Sequence, residues 1–517
     1  MRFPDSFTKL LVRRGAGILA AIESITPLQI AGCFTIALLL LAKFVPLQLD
    51  GDEIVLSIMS IQKLTVYYWA QDRYGNLAPL LTVWIQHPIY NAYAQLFIRL
   101  VAGLTAPLFY CALLFRRPVD VWCATLLSSG LLLLVGSVET LLFTYVQANP
   151  YSTSLACAGL ASMALRRQPA GFGRTLAIFL GAIGVLIAYI VNFGLVIVAL
   201  PLVGLFAMLL PSAGMIRLLV IHVLAAVVSY LLPGIAAPEY HTDLGLAPSL
   251  HNIAHYAAVI WNSTRWPFVL AVLLPFAALV ICLARSGRWQ MLRLFGTLNA
   301  AMLGIATLYF VLVASSRWLV ANEFLPRYFV PGYLLLMSVA GSSLWLITRV
   351  SLRRRAVRDV VFAGLATMLL LAVYTRLHAR GISNQDLIAP GKAEIAREVA
   401  ARYVALSLDG IVGGYWDVWP AVLMAEQYHY DNGYAGPHVF GVTIRGGVRR
   451  EEFAARLAAQ GRLRLACIDL APAECNASTA AEMGLPGLRF SEFLPMERLA
   501  GDHRLWFVEI MPAEVSR

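Results

Sequence analysis

Charged side chains are scarce in this sequence of 517 residues. Asp, Glu, Lys and Arg together make up 13% of the chain, whereas 59% of its residues are apolar, and the mean hydropathy is +0.72. A water-soluble surface requires considerably more charge than this. The scarcity excludes a soluble globular protein for most of the chain and indicates that lipid surrounds it.

Several motifs of nucleotide and metal chemistry are also missing. No Cys-x-x-Cys pair indicates a metal site, and no Gly-rich phosphate loop stands between a strand and a helix. We therefore expect no nucleotide to be required. Because lipid cannot hydrogen-bond a backbone amide, the long apolar runs must form α-helices.

The sequence does contain a series of apolar runs of about 20 residues, which predict about eleven transmembrane helices. The two runs between 174 and 210 are separated only by Asn192 and Gly194, so one long kinked helix is the alternative there. The predicted spans are 27–47, 95–115, 118–136, 150–166, 174–190, 193–210, 216–235, 266–285, 292–314, 327–349 and 357–376.

The basic residues are distributed unevenly between the predicted loops. With a cytoplasmic N-terminus, the inner loops contain most of the arginines, including the group at 349–358, and the outer loops contain few. This asymmetry, rather than nucleic-acid binding, accounts for the net charge of +11 and predicts an outward-facing C-terminal tail. The composition is rich in alanine and arginine and poor in lysine, which is typical of a GC-rich bacterial genome. We expect the inner membrane of a bacterium, with the tail in the periplasm.

The composition changes near residue 378, where charges become evenly spread and strand-like runs alternate with helical ones. We predict a polytopic α-helical membrane domain over 1–377, with outer loops at 48–94 and 236–265, and a small α/β domain over 378–517. The first loop is predicted to form amphipathic helices at the membrane surface. An outward-facing tail would allow Cys467 and Cys475 to form a disulfide. Predicted strands are Ile411–Gly413, Val439–Ile444, Leu463–Ile468 and Leu505–Ile510, and Arg450–Ala459 is a predicted helix.

Three carboxylates, Asp50, Asp52 and Glu53, lie within four residues directly after the first predicted span. Carboxylates this close repel one another, so the cluster indicates a cation or a catalytic role such as that of a general base. The alternative is structural: Asp50 or Asp52 would cap a surface helix by accepting its amide hydrogens.

The acidic cluster in the first outer loop, the multi-span bundle and the outward-facing tail together resemble the GT-C superfamily of integral-membrane glycosyltransferases. Enzymes of this superfamily transfer a sugar from a polyprenyl-phosphate lipid on the outer face of the membrane. The resemblance implies that Asp52 deprotonates an acceptor hydroxyl and that Glu53 orients Asp52 or the acceptor, with Asp50 as an alternative partner. A second acidic motif of the oligosaccharyltransferase kind is missing, which argues against a metal-dependent, peptide-glycosylating enzyme.

Two further segments resemble parts of the superfamily. Residues 71–76 continue the first outer loop, where polar side chains line the acceptor cleft. Residues 322–328 begin a late span, and Arg327 there would bind the lipid phosphate through its guanidinium. An interface anchor is the equally weighted alternative for Arg327. The candidate substrate-binding residues are Asp72, Arg73, Tyr74, Arg327, Tyr328, Arg317 and His251.

Two other features leave alternatives open. His251 and His255 of the second outer loop have a spacing that suits zinc only on a helix with further ligands, and an ordinary polar loop is the competing interpretation. We predict no metal site there and no certain cofactor, although a divalent cation remains an alternative. In the tail, the segment 413–420 follows a strand, and its aromatic residues form either a sugar-stacking surface or part of the core.

The sequence therefore predicts an inverting glycosyltransferase that uses a polyprenyl-phosphate-linked sugar and a glycan, lipid or protein acceptor, with no nucleic-acid partner. A lipid or glycan transporter is the rival from another class. Transporters usually place ionisable groups inside their spans. The spans predicted here are nearly free of such groups, and Glu139 and His222 are the main candidates. This distribution favours the glycosyltransferase. An oligosaccharide ligase or polymerase would differ mainly in the size of its donor.

Overall fold

The computed structural model divides the chain into two compact units. The bundle unit comprises Met1–Leu40, Leu100–Tyr145 and Asn149–Gly381, and the tail unit comprises Leu41–Arg99, Val146–Ala148 and Ile382–Arg517. The sequence-based division assigned the loop 48–94 to the membrane domain, whereas the structure groups it with the tail. The described residues are 49, 51–64, 77–115, 117–147, 150–167, 172–236, 250–286, 289–315, 326–351, 371, 375, 388–443, 450–483 and 488–512.

Helices account for all regular structure described before residue 388. Within the described residues, six segments are long and apolar enough to cross a membrane, and they overlap six of the nine predicted spans that fall there. The predicted spans 193–210 and 266–285 overlap shorter apolar helices, and the predicted span 150–166 is not among the six segments. The predicted spans 27–47 and, for all but two residues, 357–376 lie outside the described part of the chain. The helices are α1 (Gly51–Gln62), α2 (Leu77–Thr82), α3 (Pro88–Thr105), α4 (Leu108–Leu114), α5 (Pro118–Val135), α6 (Val138–Tyr145), α7 (Pro150–Arg167), α8 (Phe172–Val191), α9 (Val196–Leu209), α10 (Ala213–Ala236), α11 (Leu250–Ser286), α12 (Trp289–Ala314) and α13 (Val330–Ser351).

Two open questions from the sequence are settled by these bounds. Asn192 has an extended backbone, with φ −151° and ψ 96°, and a 3₁₀ turn at Phe193–Leu195 precedes α9. The runs at 174–210 are therefore two helices and not one kinked helix. The second half of the predicted outer segment 236–265 is helical, because α11 begins at Leu250. Polar residues near 262 interrupt the apolar run there, but they do not interrupt the hydrogen bonding of the helix.

Close helix contacts hold the bundle unit together. Helix α13 packs against α5, α11 and α12, and α8 packs against α7 and α10. A Cβ added at Gly341 of α13 would lie 2.5 Å from the backbone nitrogen of Ser128 in α5. This approach requires glycine, as is common where membrane helices cross. A buried ion pair joins the same two helices, with Arg349 Nη1 lying 2.8 Å from Asp120 Oδ2.

The C-terminal region of the tail unit is an α/β domain, as predicted. Its sheet has the strand order β2-β1-β3-β5-β4, with β1 parallel to β2 and β3, and β5 antiparallel to β3 and β4. Three predicted strands and the predicted helix agree with the structure within two residues. Strand β2 begins two residues later than predicted, and its predicted last residue lies outside the described part of the chain. Strand β4 was not predicted. The elements are α14 (Pro390–Ala405), β1 (Gly410–Gly413), α15 (Tyr415–Asp431), β2 (Gly441–Thr443), α16 (Arg450–Gln460), β3 (Leu463–Ile468), α17 (Pro472–Met483), β4 (Leu488–Arg498) and β5 (Arg504–Pro512).

The core of this domain lies between the sheet and its helices. Phe440 and Phe453 stack at a ring distance of 5.1 Å, and both are buried. Cys467 at the end of β3 and Cys475 in α17 form a disulfide, so the predicted pairing is confirmed. Most residues of β4 are exposed or only partly buried. This explains why the apolar periodicity of the sequence did not predict the strand.

Candidate functional site

The acidic cluster lies at the start of a buried helix rather than of a surface one. Helix α1 begins at Gly51, and its first ten residues are all buried. The prediction of an amphipathic surface helix is therefore wrong for α1. Asp52 is 7% exposed and Glu53 is fully buried, so both carboxylates are removed from bulk water. Burying two adjacent acids is costly unless they are paired or hydrogen-bonded, which points to a role beyond solubility.

Asp52 receives a hydrogen bond from the tail. The Tyr415 hydroxyl donates to Asp52 Oδ1 at 2.9 Å, and both side chains are buried. Tyr415 is the first residue of α15, which follows β1 and Gly414. The strand-to-helix turn predicted for this segment is confirmed. Tyr415 lies inside rather than on a sugar-stacking surface, and its ring contacts those of Trp416 and Trp419.

The absence of a side chain at Gly51 makes this hydrogen bond possible. A Cβ at Gly51 would lie 2.7 Å from Tyr415 Cε1 and 2.9 Å from the Tyr415 carbonyl oxygen. Both distances are far below van der Waals contact, and one of them involves backbone. Glycine is therefore required for α1 to approach α15 this closely.

The other end of α1 contacts the same tail helix. Gln62 Nε2 donates to Glu426 Oε1 at 2.7 Å and to the Val439 carbonyl oxygen at 2.9 Å. Glu426 also accepts a hydrogen bond from the Val439 amide at 2.7 Å, and its Oε2 lies 3.2 Å from His438 Nδ1. Glu426 is 5% exposed, so this carboxylate too is held by hydrogen bonds in a buried position.

A ladder of buried polar side chains connects α1 to α3. Asn91 Nδ2 donates to Ser60 Oγ at 3.1 Å, and Gln95 Nε2 donates to the Leu56 carbonyl oxygen at 3.2 Å. Gln95 follows Asn91 by four residues on α3, whereas its partner Leu56 precedes Ser60 by four residues on α1. The two helices are therefore antiparallel. Arg99 is the next residue of α3 at this four-residue spacing. Arg99 is the one Lys or Arg below 9% exposure among the described residues.

Arg327 and Tyr328 lie in the bundle unit, on a 3₁₀ turn at Pro326–Phe329 that precedes α13. Arg327 Nη2 donates to the Tyr328 hydroxyl at 3.0 Å, and the guanidinium carbon lies 5.0 Å from the centre of that ring. The Tyr309 hydroxyl donates to the Tyr328 carbonyl oxygen at 2.7 Å and anchors the turn. Both Arg327 and Tyr328 are partly exposed, so the guanidinium can reach a ligand.

The positions of the remaining candidate side chains are not described by the structure. Asp50, Asp72, Arg73, Tyr74 and Arg317 lie outside the described residues. The backbone of His251 belongs to α11, but its side chain also lies outside the described part, so the histidine-based zinc alternative stays untested.

A cavity of the bundle unit and the candidate metal ligands were compared with the acidic residues at the start of α1. In the regions that the structure describes, no group of three or more His, Cys, Asp or Glu side chains is placed to hold a metal ion. A cavity of about 360 Å³ belongs to the bundle unit, near Arg166 and Ser212, and none of the candidate residues lines it.

Sequence reasoning missed three features of this site. Tyr415 was considered only for stacking or packing, because nothing local shows that its hydroxyl reaches a carboxylate 363 positions earlier. Arg99 and Asp120 are ionisable residues within predicted spans, a signal that was available and was not used. Asp120 is accounted for by its pairing with Arg349 and by a 3.0 Å hydrogen bond from Trp345 Nε1.

Comparison with known proteins gives structural likeness only. No protein-family model matches the sequence, and no curated protein matches it. ArnT from Cupriavidus metallidurans is similar at 15% identity and a TM-score of 0.47 in two structures. The match to the apo structure covers 92% of this chain and 97% of that chain. The match to the structure bound to undecaprenyl phosphate covers 97% of this chain and 99% of that chain. The archaeal oligosaccharyltransferase AglB from Archaeoglobus fulgidus, in complex with an inhibitory peptide and a dolichol-phosphate, is similar at 11% identity and a TM-score of 0.41, covering 85% of this chain and 69% of that chain.

Both ArnT and AglB are GT-C glycosyltransferases, the superfamily that the sequence resembles. Likeness at this level concerns the course of the chain and transfers neither residue roles nor substrates. The chemistry of this protein has to be inferred from its own residues.

Proposed function

We propose that this protein is an integral-membrane glycosyltransferase that transfers a sugar from a polyprenyl-phosphate lipid to a hydroxyl of a cell-envelope glycan, lipid or protein. The observation that supports this most is the buried pair Asp52–Glu53 at the start of α1, with Asp52 hydrogen-bonded to Tyr415. A carboxylate in a dry, fixed position is suited to act as a general base.

The reaction that fits this arrangement is a single displacement. The acceptor oxygen attacks the anomeric carbon as Asp52 takes the proton from that oxygen. The new carbon–oxygen bond forms on the face opposite the lipid phosphate, whose bond to the same carbon breaks, so the configuration is inverted. Polyprenyl phosphate leaves with the bonding electrons, and the energy of the activated sugar makes a nucleotide unnecessary. Glu53 orients Asp52 or the acceptor.

Arg327 is the proposed partner of the donor phosphate. Its guanidinium is partly exposed and stands on an anchored turn immediately before a membrane-spanning helix. That position suits a phosphate at headgroup depth, because a guanidinium offers several donors to phosphate oxygens. Tyr328 holds the guanidinium in place through its hydroxyl and its ring. Asp72, Arg73, Tyr74, Arg317 and His251 complete the proposed substrate-binding set, and Asp50 is the alternative catalytic partner.

The proposed location is the inner membrane of a bacterium, with the tail in the periplasm. The disulfide between Cys467 and Cys475 supports this orientation, since disulfides persist in oxidising compartments. The donor would then be used on the outer face of the membrane, where acceptors of the cell envelope are found.

The experiment is glycosyl transfer by purified protein in liposomes, with a panel of polyprenyl-phosphate sugars and a crude lipid-glycan acceptor. We expect wild type to transfer one of the sugars with inversion, and Asp52→Asn to lower the rate at least about 10³-fold while thermal unfolding stays unchanged. An Asp50→Asn variant serves as the neighbouring control. Full transfer by Asp52→Asn would exclude Asp52 as the base, and loss in Asp50→Asn alone would assign that role to Asp50.

Release of free sugar or movement of intact donor across the liposome membrane, without any transfer to the acceptor, would contradict the proposed reaction. Movement of intact donor would instead favour the transporter. Scoring lipid-linked sugar on each side of the membrane in the same samples separates these outcomes.

A further inference from the structure

Helix α1 lies alongside the tail helix α15 and is attached to it at both ends. The first attachment joins Asp52 to Tyr415, and the second joins Gln62 to Glu426. The two contact points are ten residues apart on α1 and eleven residues apart on α15. At 1.5 Å per residue, these separations are about 15 and 16 Å, so the helices run parallel and in register.

The N-terminal attachment is built for close contact. Gly51 has no side chain where a Cβ would collide with the ring and the carbonyl group of Tyr415. Tyr415 is 4% exposed and Asp52 is 7% exposed, so water cannot readily replace the hydroxyl in this hydrogen bond. A donated hydrogen bond in such a place fixes the rotation of the carboxylate and stabilises its charged form.

The C-terminal attachment is equally well supported. Glu426 is 5% exposed, and its Oε1 accepts both the Gln62 side chain and the Val439 amide. Val439 in turn offers its carbonyl oxygen to Gln62. Four groups are thus satisfied in one buried cluster, which keeps the far end of α1 from shifting along α15.

We propose that the tail domain is a working part of the active site and that Tyr415 is a positioning residue, which holds the carboxylate of Asp52 turned toward the acceptor. This inference rests on the proposed function of Asp52. The proposal gives the C-terminal domain a role that fold and composition leave open. Helix α15 holds α1 in place, and the two attachments set the position of the proposed catalytic carboxylate along α15 and its rotation.

The test is the variant Tyr415→Phe, which removes one hydroxyl and keeps the ring. We expect kcat to fall about tenfold with the KM of donor and acceptor unchanged, since a hydrogen bond to a charged group is lost. The acid limb of kcat/KM against pH should move upward by about one pH unit. Glu53 adjoins Asp52 on α1, and Arg99 is buried on α3, the helix against which α1 packs. The variant leaves both residues unchanged.

A matched control is Tyr428→Phe, which removes a hydroxyl from the same helix at a side chain that is 48% exposed. This control should retain the wild-type rate and pH profile. If Tyr415→Phe also retains the wild-type kcat and acid limb, the positioning role is excluded, while Asp52 can still be the base. A uniform loss at every pH, with the limb unmoved, would show that Tyr415 only supports the fold.

A second measurement is independent of activity. The thermal midpoints of wild type, Tyr415→Phe, Asp52→Asn and the double variant form a cycle. If the hydroxyl acts through Asp52, the double variant should lose clearly less than the sum of the two single losses. Strict additivity would overturn the proposal even if no donor sugar has been found. Coupling in the cycle without transfer from any donor would instead place the failure in the proposed function.

Discussion

Two buried aspartates of this protein are held in different ways. In the bundle unit, Asp120 faces the guanidinium of Arg349 at 2.8 Å and accepts a hydrogen bond from Trp345. In the tail unit, Asp52 has another carboxylate as its immediate neighbour in the sequence and accepts a hydrogen bond from the neutral hydroxyl of Tyr415. Each of these two aspartates is less than 9% exposed.

The difference supports assigning different roles to the two carboxylates. Asp120 belongs to an ion pair that joins α5 and α13, so the packing of the bundle accounts for its position. Asp52 is oriented by the hydroxyl of Tyr415, and we propose that it acts as the base. Burial is common to both aspartates and therefore does not by itself identify the site.

The largest expected effect contrasts the two regions in catalysis. Glu53→Gln should lower kcat about 100-fold, because it replaces the fully buried carboxyl group for which we propose a role in orienting Asp52 or the acceptor. Asp120→Asn should leave kcat within about twofold, since its partners stabilise helices rather than the reaction. Steady-state transfer in liposomes measures both. Comparable losses in the two variants would mean that both carboxylates serve folding only.

The contrast should reverse for stability. Arg349→Met leaves Asp120 buried without its guanidinium, and we expect the free energy of unfolding to fall by about 2–4 kcal/mol, with a discount because Arg349 is 34% exposed. Thermal unfolding in detergent measures this loss. Adding Asp120→Asn to Arg349→Met should recover most of it, and failure to recover would show that the arginine acts through packing instead of charge.

A smaller effect is expected at the far attachment of α1. Gln62→Leu removes two hydrogen bonds and leaves the Glu426 carboxylate one donor short, which we expect to cost about 1–2 kcal/mol. Thermal unfolding gives the loss of stability, and kcat should fall less than in Tyr415→Phe because the change is about 15 Å along α1 from Asp52. A larger catalytic loss in Gln62→Leu than in Tyr415→Phe would contradict the importance assigned to the near attachment.

The sequence was most informative where a feature depends on near neighbours. Apolar runs predicted the spans near 118–136 and 292–314 within a few residues, and alternation predicted β3 at its observed bounds. Local pattern failed where tertiary contacts decide. Residues 51–62 looked like a surface helix because their acids are close together, and only the approach of α15 explains why they are buried. The hydrogen bond between Tyr415 and Asp52 joins segments that no local rule connects.

The smallest expected effect tests whether the pH response of transfer arises at Asp52 on α1 or at His429 on α15. Burial lowers the pKa of His429, which packs against Tyr434 at a ring distance of 4.2 Å and also faces Tyr403. Two further charged groups act on it: Glu426 opposes the shift and His438 adds to it. With a lowered pKa, His429 binds a proton less readily in the folded state than in the unfolded state. The stabilisation linked to neutral His429 is therefore fully present above about pH 6.5, and the free energy of unfolding decreases as the pH falls below that value.

His429→Gln should therefore flatten the decrease in thermal midpoint between pH 7 and pH 5.5 by about 1 °C, a small change because the imidazole is only partly buried. It should not move the acid limb of kcat/KM, which Tyr415→Phe moves. The two variants lie on one helix and differ in which group they touch, so the pair separates a pH effect on folding from a pH effect on the base. If His429→Gln moves the limb as well, the pH profile reports the stability of α15 and cannot be assigned to Asp52.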